Sequence, residues 1–143
     1  MRSRMTLVVM VVAVAIAAGC GEQRVGSLAV GDCFDDTVES LAGEDIARVP
    51  DVDCAEPHDN EVYHVVEYPG PSYSPSAIDD FAVESCYGAF GRYVGRDYES
   101  SSLDFGWLIP TRESWDLGDR EVVCITYRVD LGKLRGSVRG SGI

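Results

Sequence analysis

Histidine and basic side chains are scarce in this chain. Its 143 residues hold two histidines, His58 and His64, and 12 lysines and arginines against 24 aspartates and glutamates. So little histidine confines metal and general-base chemistry to one neighbourhood, because a zinc site needs three or four converging ligands. The formal charge of −12 argues against nucleic acid as a partner, since phosphate backbones and anionic lipid head groups repel an acidic domain. There is no Gly-x-Ser-x-Gly, so the hydrolase nucleophile elbow has no candidate. The cysteines lack the close paired spacing of a zinc ribbon, the carboxylates lack EF-hand spacing, and no internal repeat is visible.

What is present starts with a leader. Arg2 and Arg4 precede an unbroken apolar run from Met5 to Ala18, then Gly19 and Cys20. A positive start, a short apolar stretch and small residues at its end predict a secretory signal over residues 1–19. The run falls short of the roughly 20 apolar residues a membrane span needs. Ala17-Ala18-Gly19-Cys20 resembles a bacterial lipobox, with Ala17 where Leu is usual. Lipidation of Cys20, palmitate included, is the expectation; the alternative is a plain cut near Ala18 that leaves an odd thiol. Two or more acyl chains on one residue anchor stably, where one does not. Residues 20–27 then read as a lipidated polar tether and 28–143 as the domain, on the extracytoplasmic face of the cell membrane. Without Arg2 and Arg4, ten basic side chains face 24 acidic ones, a net of −14.

Five cysteines divide accordingly. With Cys20 assigned to lipid, Cys33, Cys54, Cys86 and Cys124 remain, and an even number outside the cytoplasm predicts two disulfides. Three pairings exist; chain order favours Cys33–Cys54 with Cys86–Cys124. Each would contribute about 3–4 kcal/mol on the loop-entropy model.

Leu28 to Phe34 predicts a first strand, followed by an acidic loop through Asp35, Asp36, Glu39, Glu44 and Asp45. After Cys54 and a Pro57-centred turn, Val62 to Tyr68 is rich in β-branched and aromatic residues. Strict alternation would put Val62, His64, Val66 and Tyr68 on one face and Tyr63, Val65 and Glu67 on the other, an interior strand covered on both sides. Ser74-Pro75 opens a helix whose apolar stripe runs through Ile78, Phe81, Ala82, Cys86, Ala89, Phe90 and Tyr93 to a stop at Gly95. Asp79 and Asp80 are expected to favour its N-terminus electrostatically. Leu103 to Ile109 and Arg120 to Val129 predict two more strands, with a short helix capped by Thr111 and carrying Trp115 between them. Gly132 to Gly142 reads as a fraying, basic edge strand, either solvated or touching membrane or wall polymer. The order predicts an α+β fold: a two-layer domain with a mainly antiparallel sheet, one long helix packed on it and two disulfides.

Five clusters together carry a family resemblance. They are Leu28 with Val30-Gly31-Asp32-Cys33; Asp53-Cys54, Pro57-His58-Asp59 and Glu61-Val62-Tyr63; Cys86, Phe90, Tyr93-Val94-Gly95 and Asp97-Tyr98; Pro110, Trp115, Gly118-Asp119-Arg120 and Cys124; and Gly136-Ser137. In these the chain resembles the actinobacterial septum-formation domain family. The resemblance implies an exported protein acting in septum formation, cell division and the cell envelope.

No residue stands out as catalytic, cofactor-binding or metal-ligating. His58 and Asp59 beside Glu61 invite a metal or general-base reading, though Asp59 after Pro57-His58 is more simply a turn residue. Trp107 and Trp115 invite stacking on peptidoglycan sugars, against the plainer reading as core. Arg120, next to Trp115 in the family pattern, joins His58, Asp59 and Trp115 as an interaction or structural candidate. The expectation is a non-enzymatic, membrane-anchored interaction domain with an envelope or division protein as partner. A glycan-binding module is the alternative, ahead of a hydrolase or metal-dependent enzyme.

Overall fold

In the computed structural model, which describes residues 21–37 and 46–143, six strands form one antiparallel sheet. They are Glu22–Arg24 (β1), Cys33–Phe34 (β2), Arg48–Val52 (β3), Asn60–Glu67 (β4), Leu103–Leu108 (β5) and Glu121–Arg128 (β6), in the order β1-β3-β2-β4-β6-β5. The long helix Pro75–Val94 (α1) lies on one face, and the short helix Arg112–Asp116 (α2) joins β5 to β6. This is the expected two-layer α+β domain. The expected leader, Cys20 and the acidic residues Glu39, Glu44 and Asp45 lie outside the described residues. Among the described residues no helix is long and apolar enough to cross a membrane.

The helix forms where its stripe predicts. Pro75 fills the first turn, and Gly95 ends the helix at φ 82° with its N–H on the Gly91 carbonyl (2.9 Å). Ile78, Ala82, Cys86, Phe90 and Val94 are fully buried against Tyr63, Leu103, Val122 and Cys124. Each large side chain so buried contributes about 1.5–3 kcal/mol. Asp79 is too deep in α1 to act on its N-terminus; its carboxylate instead accepts from Trp107 Nε1 at 3.0 Å.

The sheet's other face has its own core of Val25, Leu28, Phe34, Val49, Val62, Val123 and Ile125. Part of its cover comes from the segment expected to be a free tether. Glu22–Arg24 pairs with β3, Val25–Ser27 makes a 3-10 turn, and Val25 and Leu28 are buried. The expected first strand shrinks to Cys33–Phe34, because Ala29 to Asp32 form a turn closed by Asp32.

Strand β4 departs from strict alternation. Val62 pairs with Ile125 and His64 with Cys124, so Tyr63 is an extra residue, a β-bulge. The bulge sends Val62 to the second core and turns Tyr63 under α1, where its hydroxyl donates to the Cys86 carbonyl at 2.8 Å. The faces expected for Val62 and Tyr63 are therefore exchanged.

The C-terminal segment forms no edge strand. It crosses the molecule as a strap: Leu134 bridges His58, the Gly136 N–H meets the Cys54 carbonyl, and Leu134 and Val138 are buried. The Gly140 and Gly142 N–H groups then satisfy the Tyr93 and Val94 carbonyls at the end of α1, both at 2.8 Å.

Candidate functional site

The polar chemistry of the molecule collects where β2, the turn after Cys54 and the start of β4 meet the strap. Asp53 organises that turn: its carbonyl accepts from the Glu56 N–H and its carboxylate from the Ala55 N–H. The turn brings Cys54 back onto β2, where it is disulfide-bonded to Cys33. The second disulfide, Cys86–Cys124, ties α1 to β6. Both are the pairings chain order favours.

His58 and Glu61 are both fully buried beside Cys33. His58 Nδ1 lies 2.8 Å from the Glu56 carbonyl and donates to it, which leaves Nε2 as the lone-pair nitrogen. That Nε2 is buried with no hydrogen-bond partner among the described residues. Glu61 is saturated by contrast: Oε1 accepts from the Tyr93 hydroxyl (2.6 Å) and the Ser137 hydroxyl (2.5 Å), and Oε2 from the Val138 N–H (2.7 Å). Charge-assisted bonds of this kind are what make a buried carboxylate tolerable. Burial, then the Glu61 bond, push the Tyr93 hydroxyl's pKa up.

A ring nitrogen of His58, Cys33 Sγ and a Glu61 oxygen lie within 4.8 Å of one another. With Cys33 in a disulfide, no thiolate is offered, and His58 and Glu61 alone fall short of the three or four ligands zinc requires.

Asp59 points outward to a second polar group. Lys133 Nζ lies 2.8 Å from both Asp59 Oδ2 and Asp35 Oδ1, while Asp59 Oδ2 accepts from the Asp36 N–H and Asp35 Oδ1 from the Asp59 N–H. Burial works to raise the Asp59 pKa, but Lys133 and the Asp36 amide outweigh it and hold the carboxyl below its usual range. Asp59 thus closes no local turn: its carboxylate reaches the Asp36 N–H across 23 residues and pins the strap through Lys133.

Arg120 sits elsewhere, lining a cleft of about 720 Å³ between the N-terminal segment and α2, and stacks there on Trp115. The Arg120 guanidinium lies 3.5 Å over the Trp115 ring and donates to the Trp115 and Asp119 carbonyls. Trp115 is 7% exposed, and Trp107 is half-buried with its Nε1 bonded to Asp79. Trp115 therefore offers no free face for a sugar, whereas Trp107 lines a groove beside Tyr127. Glu121, also lining the cleft, has its pKa raised by burial and then by Asp119 and Glu67.

With this geometry in place, residues 20–130 match the family model described as septum formation. The chain belongs to that family. Neither a curated protein nor a solved structure matches it.

Within this septum-formation domain the match takes in β1 to β6 and both disulfides, and it stops short of the strap. His58 and Asp59 are adjacent in sequence but serve different groups; Trp115 and Arg120 form one stacked pair. Sequence reasoning missed Glu61 as a buried anchor with Tyr93, Ser137 and Val138 as its donors, and Lys133 as the partner of Asp35 and Asp59. A lone carboxylate opening an apolar strand was the available signal.

Proposed function

We propose that this septum-formation domain is a non-enzymatic interaction module, anchored through a lipidated Cys20 at the extracytoplasmic face of the cell membrane and acting there through a protein partner. The family match supports the role in septum formation. The observation that carries the anchoring is cysteine usage: two disulfides consume Cys33, Cys54, Cys86 and Cys124, and the one remaining cysteine falls between the apolar run and β1. Only Gly21 separates it from Glu22–Arg24, so the domain would lie close against the bilayer. The cleft lined by Arg120 opens beside that segment, with Leu117 90% exposed on its lining, and is the surface on which a partner would dock.

Cys20→Ala tests the anchor: the variant should leave the membrane fraction and appear in the medium. Its retention in the membrane would mean that the apolar leader itself holds the protein. A glycan-binding reading loses Trp115, and would rest on Trp107 or on Tyr87, 49% exposed in a groove with Asp97, Tyr98 and Glu99. Co-sedimentation with purified peptidoglycan separates the two, since an adaptor for protein stays in the supernatant.

A further inference from the structure

We propose that Cys33–Cys54 is an exchange-active disulfide: accessible thiols attack Cys54, and His58 Nε2 is the proton acceptor that re-arms Cys33. This adds a chemical capacity to the adaptor described above and does not depend on its anchoring or its partner.

The two bridges of the fold differ in access. Cys86 and Cys124 are both sealed in the apolar core beneath α1. Cys33 is equally buried, but Cys54 is only half-buried and sits in a turn whose neighbours Asp53, Ala55 and Glu56 are exposed. An incoming thiolate therefore meets the Cys54 sulfur, and Cys33 is the inner, leaving sulfur.

One buried side-chain acceptor at the bridge has no hydrogen-bond partner among the described residues, and a backbone carbonyl lies against the outer sulfur. His58 Nε2 has no donor, because Nδ1 carries the ring proton toward Glu56 and a disulfide has no proton to give. The Gly31 carbonyl oxygen lies 3.2 Å from Cys54 Sγ. A buried acceptor left unpaired is costly, and a redox role is one physical reason for keeping it. The dithiol state supplies donors here: a Cys33 thiol whose sulfur lies within 4.8 Å of a His58 ring nitrogen, and a Cys54 thiol against the Gly31 carbonyl.

A thiolate RS⁻ attacks Cys54 Sγ, the R–S–S–Cys54 bond forms, the Cys33–Cys54 bond breaks, and its electron pair leaves on Cys33 Sγ, which takes up a proton. In the closing direction His58 Nε2 removes that proton, the Cys33 thiolate attacks Cys54 Sγ, and RS⁻ departs and is protonated by water. When a second thiolate attacks the R sulfur instead, R–S–S–R is released, two thiols are oxidised and the bridge has gained two electrons. The substrate class is an accessible thiol, on a small molecule or a protein. Glu61, with an oxygen within 4.8 Å of Cys33 Sγ, is held in place by its three donors as the thiol forms and re-forms.

The experiment uses the folded mature chain, reduced glutathione, and native-state alkylation with peptide mapping. Cys33 and Cys54 should become modifiable while Cys86 and Cys124 stay protected, with the glutathione adduct on Cys54. His58→Asn keeps a donor for the Glu56 carbonyl and removes Nε2. It should slow re-closure of the mixed disulfide at least tenfold and flatten its rise with pH, at an unchanged far-ultraviolet spectrum. Opening of both bridges together, an adduct on Cys33, or an unaltered closing rate and pH profile in His58→Asn would overturn the proposal. Should His58→Asn not fold, the position of the adduct in the unaltered protein still decides.

Discussion

Cys86–Cys124 joins α1 to β6 among Phe90, Leu103 and Val122, with both cysteines sealed from solvent. Cys33–Cys54 joins β2 to a surface turn, beside a buried histidine, a buried carboxylate and an ion-paired lysine. The first neighbourhood is held by apolar burial, which is non-directional and insensitive to proton or electron. The second is held by directed polar contacts, each of which a change of protonation or oxidation state can disturb. One small domain thus keeps a dry half for persistence and a polar half that is open to chemistry.

The sharpest way to break that contrast is to delete each bridge. Cys86→Ala with Cys124→Ala, closing a separation of 38 residues, should cost about 4 kcal/mol in a urea titration from loop entropy, with a further cavity cost. Cys33→Ala with Cys54→Ala, at a separation of 21, should cost about 3 kcal/mol. If the second pair proves the costlier, the dry bridge is not the main staple.

Next in size is Glu61→Ala. It strands the Tyr93 hydroxyl, the Ser137 hydroxyl and the Val138 N–H, and should cost about 2–3 kcal/mol. Faster hydrogen exchange at Val138 should accompany it; a loss confined to β4 would mean that the strap does not hang on this carboxylate. Arg120→Ala follows, at about 1 kcal/mol, from the stacked guanidinium over Trp115. A red shift of tryptophan emission should report the uncovered ring.

Legibility in the sequence tracks how local the determinants are. Helix α1 was readable because its stripe, its proline start and its glycine stop lie within one continuous stretch. The disulfide pairing followed from chain order, and α2 from Thr111, whose hydroxyl accepts from the Ser114 N–H as a cap should. Glu22–Arg24 was not readable, because a strand of three polar residues held by backbone bonds to β3 leaves no side-chain pattern. In β3 the partner changes from β1 to β2 just after Pro50, a residue without an N–H, which breaks the look of a strand. The bulge at Tyr63 was invisible because it depends on how β4 meets β6. At the candidate site, His58 and Asp59 were visible as residue types, but the donors of Glu61 come from positions 93, 137 and 138. No local pattern encodes that meeting.

The smallest effects come from the rim. The Asp59–Lys133 pair, with side chains 22% and 44% exposed, should contribute under about 1 kcal/mol. Because folding depresses the Asp59 pKa, this contribution is present above the ordinary aspartate value of about 3.9 and is lost as pH falls through the folded value. The stability gap between the parent and Lys133→Met should accordingly shrink in acid; a gap constant down to pH 3 would remove the pair from the polar half. On the dry side, burial and then Arg92 lower the His64 pKa. Its ring should titrate below the ordinary value of about 6.5 by NMR, and its neutral form favours folding less as pH falls through that value.

The strap has a consequence for the order of events in making this protein. A chain emerges N-terminus first, so the sheet, α1 and both cysteine pairs are complete before positions 134–142 arrive. Until then Glu61 must stay hydrated and the Tyr93 and Val94 carbonyls must keep water as their partner. Positions 134–142 are the latch, and drying of the polar half waits for them.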